Sequence, residues 1–189
     1  MMHLKMLGLA AAAAAALMTL SGVASATTLT SPTGTASTPA IHAQNEEHIV
    51  YHNPIAKIEC NSTFQLQVSE HGAGTAAAGN LTNLTFTNCT NSWHMTTVTP
   101  GSLAISWTSG YAGTVTWSGA TWEMTRFGVS CRYATNATKL GTLTGGLPAT
   151  IDIEAAIPFH GGSSLCGSGT TSLTGSYKLT SPTSLFVDP

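Results

Sequence analysis

Apolar and polar residues alternate in short runs along most of the chain beyond residue 40. Phe64, Leu66 and Val68 interleave with Gln65, Gln67 and Ser69, and Leu84 and Phe86 interleave with Thr85 and Thr87. Leu103, Ile105 and Trp107 repeat the period, as do Val115 and Trp117, while Trp122 and Met124 flank Glu123. Val129, Cys131 and Tyr133 oppose Ser130 and Arg132; Ile151 and Ile153 oppose Asp152 and Glu154. A period of two belongs to strands with one buried face. Turn-forming residues separate the runs at His71-Gly72-Ala73-Gly74, Pro100-Gly101, Ser109-Gly110, Ser118-Gly119 and Gly145-Gly146. The pattern predicts an all-β fold, an antiparallel β-sandwich or barrel of roughly eight to eleven strands, with residues 27–189 as a single domain.

Residues Thr27 to Thr38 are rich in Ser, Thr, Pro and Gly and read as a flexible leader or an edge strand. Leu29-Thr30-Ser31-Pro32-Thr33 recurs as Leu179-Thr180-Ser181-Pro182-Thr183. Both copies read as edge strands, because proline cannot donate to a ladder.

The first 26 residues stand apart from this pattern. His3 and Lys5 precede an almost wholly apolar stretch from Met6 to Leu20, and Ala24-Ser25-Ala26 fits a small-residue cleavage site. That is the layout of a signal peptide, with Thr27 as the first mature residue. About 15 apolar residues fall short of the roughly 20 needed to span a bilayer. The alanine-heavy leader looks bacterial, and the expected location is secreted, with no transmembrane segment in the mature chain.

All four cysteines, Cys60, Cys89, Cys131 and Cys166, follow this leader. An even count in an exported chain reads as two disulfides, and without Cys-x-x-Cys spacing a metal site is the weaker reading. A hairpin that sets residue 60 opposite residue 89 must turn between residues 74 and 75, beside the Gly72-Ala73-Gly74 signal. Strands near 57–69 and 77–88 would then pair with Cys60 facing Cys89, leaving Cys131 for Cys166. Cys89 is out of phase with Leu84 and Phe86, which implies a bulge or strand end near Asn88.

Composition narrows the function classes. Only 14 of 189 residues are charged, and 31 threonines, 19 serines and 19 glycines supply most of the polarity. Apolar residues make up 42%, enough for a packed core rather than a disordered chain. A net charge of -2 with no basic run argues against a nucleic-acid partner.

Candidate chemistry is sparse. His42, Glu46, Glu47, His48 and His52 form the densest polar cluster, yet the intervening Ile49-Val50-Tyr51 reads as strand. There His48 and His52 would stand about 13 Å apart, so a solvated strand and turn is preferred to a metal site. Asp152 and Glu154 share a strand face at a spacing open to glycoside hydrolysis, but such pairs normally face each other across a cleft. His71, His94 and His160 are single histidines near turns. No Gly-x-Ser-x-Gly or Ser-x-x-Lys nucleophile motif occurs, and no cofactor motif is recognisable. Of the four tryptophans, Trp107, Trp117 and Trp122 share faces with apolar neighbours and read as core. Trp93, following Asn91-Ser92, reads as the one open to a ligand. Five Asn-x-Ser/Thr sequons begin at Asn61, Asn80, Asn83, Asn88 and Asn136, as a Thr-rich chain produces by chance.

The segments Asn53-Pro54-Ile55-Ala56-Lys57-Ile58-Glu59-Cys60-Asn61, Leu84-Thr85-Phe86-Thr87-Asn88-Cys89-Thr90, Val129-Ser130-Cys131-Arg132-Tyr133 and the Cys166 loop carry a resemblance. The chain resembles a group of small uncharacterised secreted bacterial β proteins with two cysteine pairs. More remotely, the Cys60–Cys89 hairpin is similar to exported activators of alkane oxidation. The resemblance implies the fold and the compartment and brings no catalytic residue. The expected function is that of an exported, non-enzymatic β protein of the cell surface or extracellular space, with an unknown extracellular or cell-wall partner. The alternatives are a glycan- or hydrophobe-binding module using Trp93 and, less favoured, a secreted hydrolase.

Overall fold

The computed structural model describes residues 26–36, 40–70 and 76–189. The leader up to Ser25 and the turn His71–Gly74 lie outside the described residues. Fourteen strands and two 3₁₀ turns make up the described fold. They are β1 (Thr28–Thr30), β2 (Ala40–Asn45), β3 (Ile49–Asn53), β4 (Ala56–Glu70), β5 (Ala77–Thr87), β6 (His94–Thr99) and β7 (Ser102–Ser109). The chain continues through β8 (Ala112–Ser118), β9 (Thr121–Arg126), β10 (Val129–Ala134), β11 (Thr138–Thr144), β12 (Thr150–Gly162), β13 (Thr170–Ser181) and β14 (Phe186–Asp188). The 3₁₀ turns are Thr90–Ser92 and Ser164–Cys166.

Every pairing is antiparallel, and the ladders close on themselves. Eight strands, in the order β2, β4, β5, β7, β8, β11, β12, β13 and back to β2, form a complete barrel. The long strands β4, β5, β12 and β13 then continue past this lower ring and take different partners. β4 and β13 pair with β3 in place of β2, and β12 pairs with β10 in place of β11. β10, β9 and β6 follow in order, and β6 comes up against β5. This upper ring is one ladder short of closure. Thr97 Oγ1 donates to the Leu84 carbonyl across the β5–β6 seam at 2.9 Å.

Two rings explain why the strands outnumber the eight to eleven expected. β2 and β3 fill one wall position, broken at Glu46–His48, and three extra strands build the upper ring. β1 and β14 form a separate two-stranded ribbon that buries Leu29 and Val187. Thr28–Thr30 is therefore an edge strand rather than a flexible leader. The second copy of the repeat departs from its reading: Leu179–Ser181 ends β13, which is paired on both sides, and its proline falls after the strand.

The chain crosses between rings at three neighbouring points. Trp117 Nε1 donates to the Pro100 carbonyl (2.9 Å), Thr135 N–H to the Ala120 carbonyl (2.9 Å) and Gly119 N–H to the Thr135 carbonyl (3.1 Å). Gly101, at φ +77°, is wedged into this waist; a Cβ there would stand 2.3 Å from the Ser118 carbonyl oxygen. Only glycine fits both the conformation and the space.

The alternation works as expected over most of the barrel wall. Phe64, Leu66, Val68, Leu84, Leu103, Ile105, Val115, Ile151 and Ile153 point inward into one buried cluster. Gln65, Gln67, Asn80, Thr82, Asp152, Glu154, Thr174 and Lys178 face out. A lipid-spanning barrel carries the reverse arrangement, an apolar belt outside. Among the described residues no helix is long and apolar enough to cross a membrane.

An aromatic column joins the rings. Trp117 of the lower ring stacks on Trp122 of the upper ring, centroids 5.1 Å apart and planes 7° from parallel. Tyr51 and Tyr133 pack on Trp122 at 6.2 and 6.1 Å. Below them lies a cavity of about 30 Å³ lined by aliphatic side chains with Tyr51, Phe64, Phe86, Trp117 and Tyr177. It has room for water but is far below the roughly 300 Å³ of a small-molecule site.

Burial pushes the Tyr51 and Tyr177 hydroxyls well above the ordinary phenol range; Tyr177 adds to the shift at Tyr51, and the Ser62 hydrogen bond offsets part of that at Tyr177. Both phenols stay neutral in the folded state while those of the unfolded chain ionise near pH 10. Their contribution to stability is complete below pH 10 and is lost above it, by roughly 1.4 kcal/mol per pH unit for each. Urea midpoints should therefore hold steady from pH 8 to about 9.5 and fall steeply beyond pH 10.

The four cysteines form Cys60–Cys89 and Cys131–Cys166, with Cα atoms 4.1 and 5.7 Å apart. Strands β4 and β5 match the expected hairpin, but the ladder lies one residue out of the expected register. Asn61 pairs with Thr87, which would set Asn88 rather than Cys89 opposite Cys60. β5 ends there, and Asn88, at φ +51°, turns the chain so that Cys89 reaches Cys60. That is the strand end implied by the phase of Cys89.

Candidate functional site

Four connections meet at the open end of the upper ring: the β3–β4 turn, the Thr90–Ser92 turn, the β9–β10 turn and the β12–β13 connection. Local chemistry fixes each. The Asn53 carboxamide oxygen accepts from the N–H groups of Ile55 (3.1 Å) and Ala56 (2.8 Å), making a tight turn whose tip is Pro54-Ile55. In the β12–β13 connection Ser163 Oγ caps the Ser164–Cys166 turn, Ser163 N–H donates to the Ser130 carbonyl (2.7 Å), and Cys166 is bonded to Cys131. Gly167 then lies against Pro54.

The β9–β10 turn is the most unusual of the four. Arg126 pairs with Val129, leaving a two-residue loop of Phe127 (φ +46°) and Gly128 (φ +79°). Positive φ at both positions is the type I′ hairpin geometry, which favours Asn, Asp or Gly at the first. A phenylalanine there is strained and, at 83% exposure, gains almost no burial in return. Four of the five non-glycine residues at positive φ among the described residues, Asn88, Asn91, Ser92 and Phe127, stand at this end.

Trp93, the tryptophan expected to be open to a ligand, lies here but is buried at 4% exposure. The positive φ values of Asn91 and Ser92 turn the chain inward so that Trp93 is buried just before β6 begins. The Arg126 guanidinium roofs it, 6.0 Å from the Trp93 ring and 4.8 Å from the Phe127 ring. The outward aromatic of this cluster is therefore Phe127. A groove of about 340 Å³ runs beside it, lined by Ser92, His94, Thr125, Arg126, Phe127, Gly128, Val129 and Ser130. Neither Arg126 nor Phe127 stood out in the sequence, although Phe127-Gly128 between two alternating runs is a hairpin signal.

No family model, curated protein or solved structure matches the chain. The geometry of the surface thus carries the functional argument.

The remaining candidates are dispersed. His42, His48 and His52 follow the broken β2–β3 wall, with His48 and His52 exposed, and Glu46 and Glu47 project from the break. Ser176 Oγ donates to the Glu46 carboxylate (3.3 Å), and among the described residues no three His, Cys, Asp or Glu side chains are grouped to hold a metal ion. Asp152 and Glu154 stand exposed on the outer wall of β12, between β11 and β13, rather than across a cleft. His94 joins the groove, whereas His160 is exposed on β12 and His71 lies outside the described residues. Trp117 and Trp122 are core, as the alternation implies. Trp107 is not: at 37% exposure it lies near the end of β7, past the last β5–β7 pair at Ile105, its Nε1 donating to the Gly110 carbonyl (2.9 Å). Tyr111, 57% exposed, stands in the same turn and packs edge-on against Phe186 at 4.9 Å.

The strain at the β9–β10 turn has a measurable sign. Replacing Phe127 with Asn relieves about 1–3 kcal/mol of backbone strain and gives up about 0.5–1 kcal/mol of exposed cation–π contact with Arg126. Phe127→Asn should unfold at higher urea than the wild type, by about 1 kcal/mol.

Proposed function

We propose that the chain is an exported, non-enzymatic β protein, a single domain after residue 26, that acts at the cell surface or outside the cell through its outer surface. The observation that carries this reading is the small interior cavity: at about 30 Å³ it is far below a small-molecule site, so recognition falls to the loops and walls. Two disulfides favour an oxidising compartment. Expression of the full chain in a bacterial host, then fractionation and N-terminal sequencing, tests it. Oxidised protein beginning at Thr27 outside the cytoplasm supports the reading; uncleaved chain retained in the cytoplasm with free thiols defeats it.

A second reading, a glycan-binding module, is favoured by Trp107 near the end of β7 and Tyr111 in the β7–β8 turn, at the opposite end. Exposed aromatic rings held by their own turn offer faces for sugar rings. Titration with soluble polysaccharides should then quench tryptophan fluorescence in the wild type and not in Trp107→Ala. A flat response across the panel removes this reading.

A further inference from the structure

Resting on the reading of a chain that acts through its outer surface, we propose that the open end of the upper ring docks on an anionic lipid surface. An acidic headgroup would lie in the groove beside Arg126, with Phe127, Leu165 and Ile55 set among the outer acyl segments.

Charge is the first support. Each carboxylate at this end has its own cation: Glu59 sits 2.7 Å from Lys57, and Glu123 is 3.9 Å from Arg132 and accepts from Ser130 Oγ. Arg126 is left over. It makes no ion pair among the described residues, its Nε has no hydrogen-bond partner there, and its guanidinium lies against the Trp93 and Phe127 rings. A cation spared a carboxylate, in a groove that also offers Ser92, His94 and Thr125, complements an anion.

The apolar tips are the second. Phe127, Leu165 and Ile55 are 83%, 59% and 43% exposed, and they come from three separate connections. Contacts link those connections: Ser163 to Ser130 beside the Phe127 hairpin, the Cys131–Cys166 bridge beside Leu165, and Gly167 against Pro54. Apolar tips around a cation fit the interface of a bilayer, where aromatic rings settle at headgroup depth and basic side chains meet acidic lipids. The polar walls below keep the barrel itself in water. The third support is Phe127 itself, retained at a strained position where burial repays nothing in the free protein.

The test is co-sedimentation of the purified oxidised protein with phosphatidylcholine vesicles prepared with and without phosphatidylglycerol. The protein should partition onto the anionic vesicles, less strongly as salt is raised. Partitioning should fall about fivefold in Arg126→Gln and more than tenfold in Phe127→Asn. Because Phe127→Asn should also resist urea better than the wild type, its lost binding cannot be assigned to misfolding. No partitioning, equal partitioning onto both vesicle types, or partitioning unchanged in Phe127→Asn would overturn the proposal. If inorganic phosphate raises the melting temperature in an Arg126-dependent way while no vesicle binds, the groove takes a free anion and the lipid assignment fails. The export reading is scored separately by fractionation, so the two can fail independently.

Discussion

Trp122→Ala should lose about 3–5 kcal/mol of stability, the full range for removing a large aromatic from a core. Trp122 is wholly buried and contacts Trp117, Tyr51 and Tyr133 at once, so its removal takes the centre out of the column that joins the two rings. Its Nε1 has no partner among the described residues, so packing rather than hydrogen bonding is lost. Against a typical total of about 5–15 kcal/mol, the variant would be close to unfolding at 37 °C. Trp122→Phe should cost less than half as much, because it keeps an aromatic ring and deletes an unpaired buried N–H. Trp107→Ala, at the exposed rim, should stay within about 1 kcal/mol of the wild type. Urea denaturation followed by circular dichroism ranks all three. A Trp122→Ala cost under 1 kcal/mol would mean that the rings do not depend on this column.

Removing either disulfide as a pair of Cys→Ala substitutions should cost about 3–4 kcal/mol on the chain-entropy account. The sequence separations, 29 and 35 residues, are too similar for loop length to distinguish the bridges. Their surroundings do distinguish them. Cys60–Cys89 ties the chain just past β5 to β4, and these two strands already share a ladder, so they should stay paired without it. Cys131–Cys166 fastens the β12–β13 connection to β10, assisted by the single backbone bond from Ser163 to Ser130. Cys131→Ala with Cys166→Ala should therefore add rapid proteolysis between residues 161 and 169 to the loss of stability, and Cys60→Ala with Cys89→Ala should not. Limited proteolysis with mass mapping separates the two. Equal cleavage patterns would contradict the assigned roles.

Much of this fold was legible as alternation, because a period of two reports which face of a strand is buried. It was legible for β4, β5, β7, β8, β10 and β12, and the Gly72-Ala73-Gly74 signal with the cysteine positions located the β4–β5 hairpin. The two-ring arrangement was not. β9 and β10 alternate just as β7 and β8 do, and nothing local says which partner β12 takes along its length. The tryptophans show a similar limit. Trp107 has the parity of Leu103 and Ile105, but its strand overruns the barrel, so parity no longer means burial. Trp93 follows turn-forming residues and looks exposed, yet the backbone conformations of Asn91 and Ser92 send it inward. Arg126 and Phe127 are each ordinary by type, and only the conformation of Phe127 and the lack of an ion-pair partner for Arg126 set them apart.

The closed ladder also sets an order of assembly. β13 is the strand that joins β12 to the β2–β3 wall, and β14 pairs with β1 across nearly the whole chain. Until residues 170–188 have joined, β12 on one side and β2 with β3 on the other present bare edges able to capture any passing strand. Such remote pairings are slow to find, since chain closure must precede any gain from contact. A ribosome stalled or a protease cutting before residue 170 would thus release a sticky open sheet rather than a smaller barrel. The last twenty residues act as the latch on aggregation for all the rest.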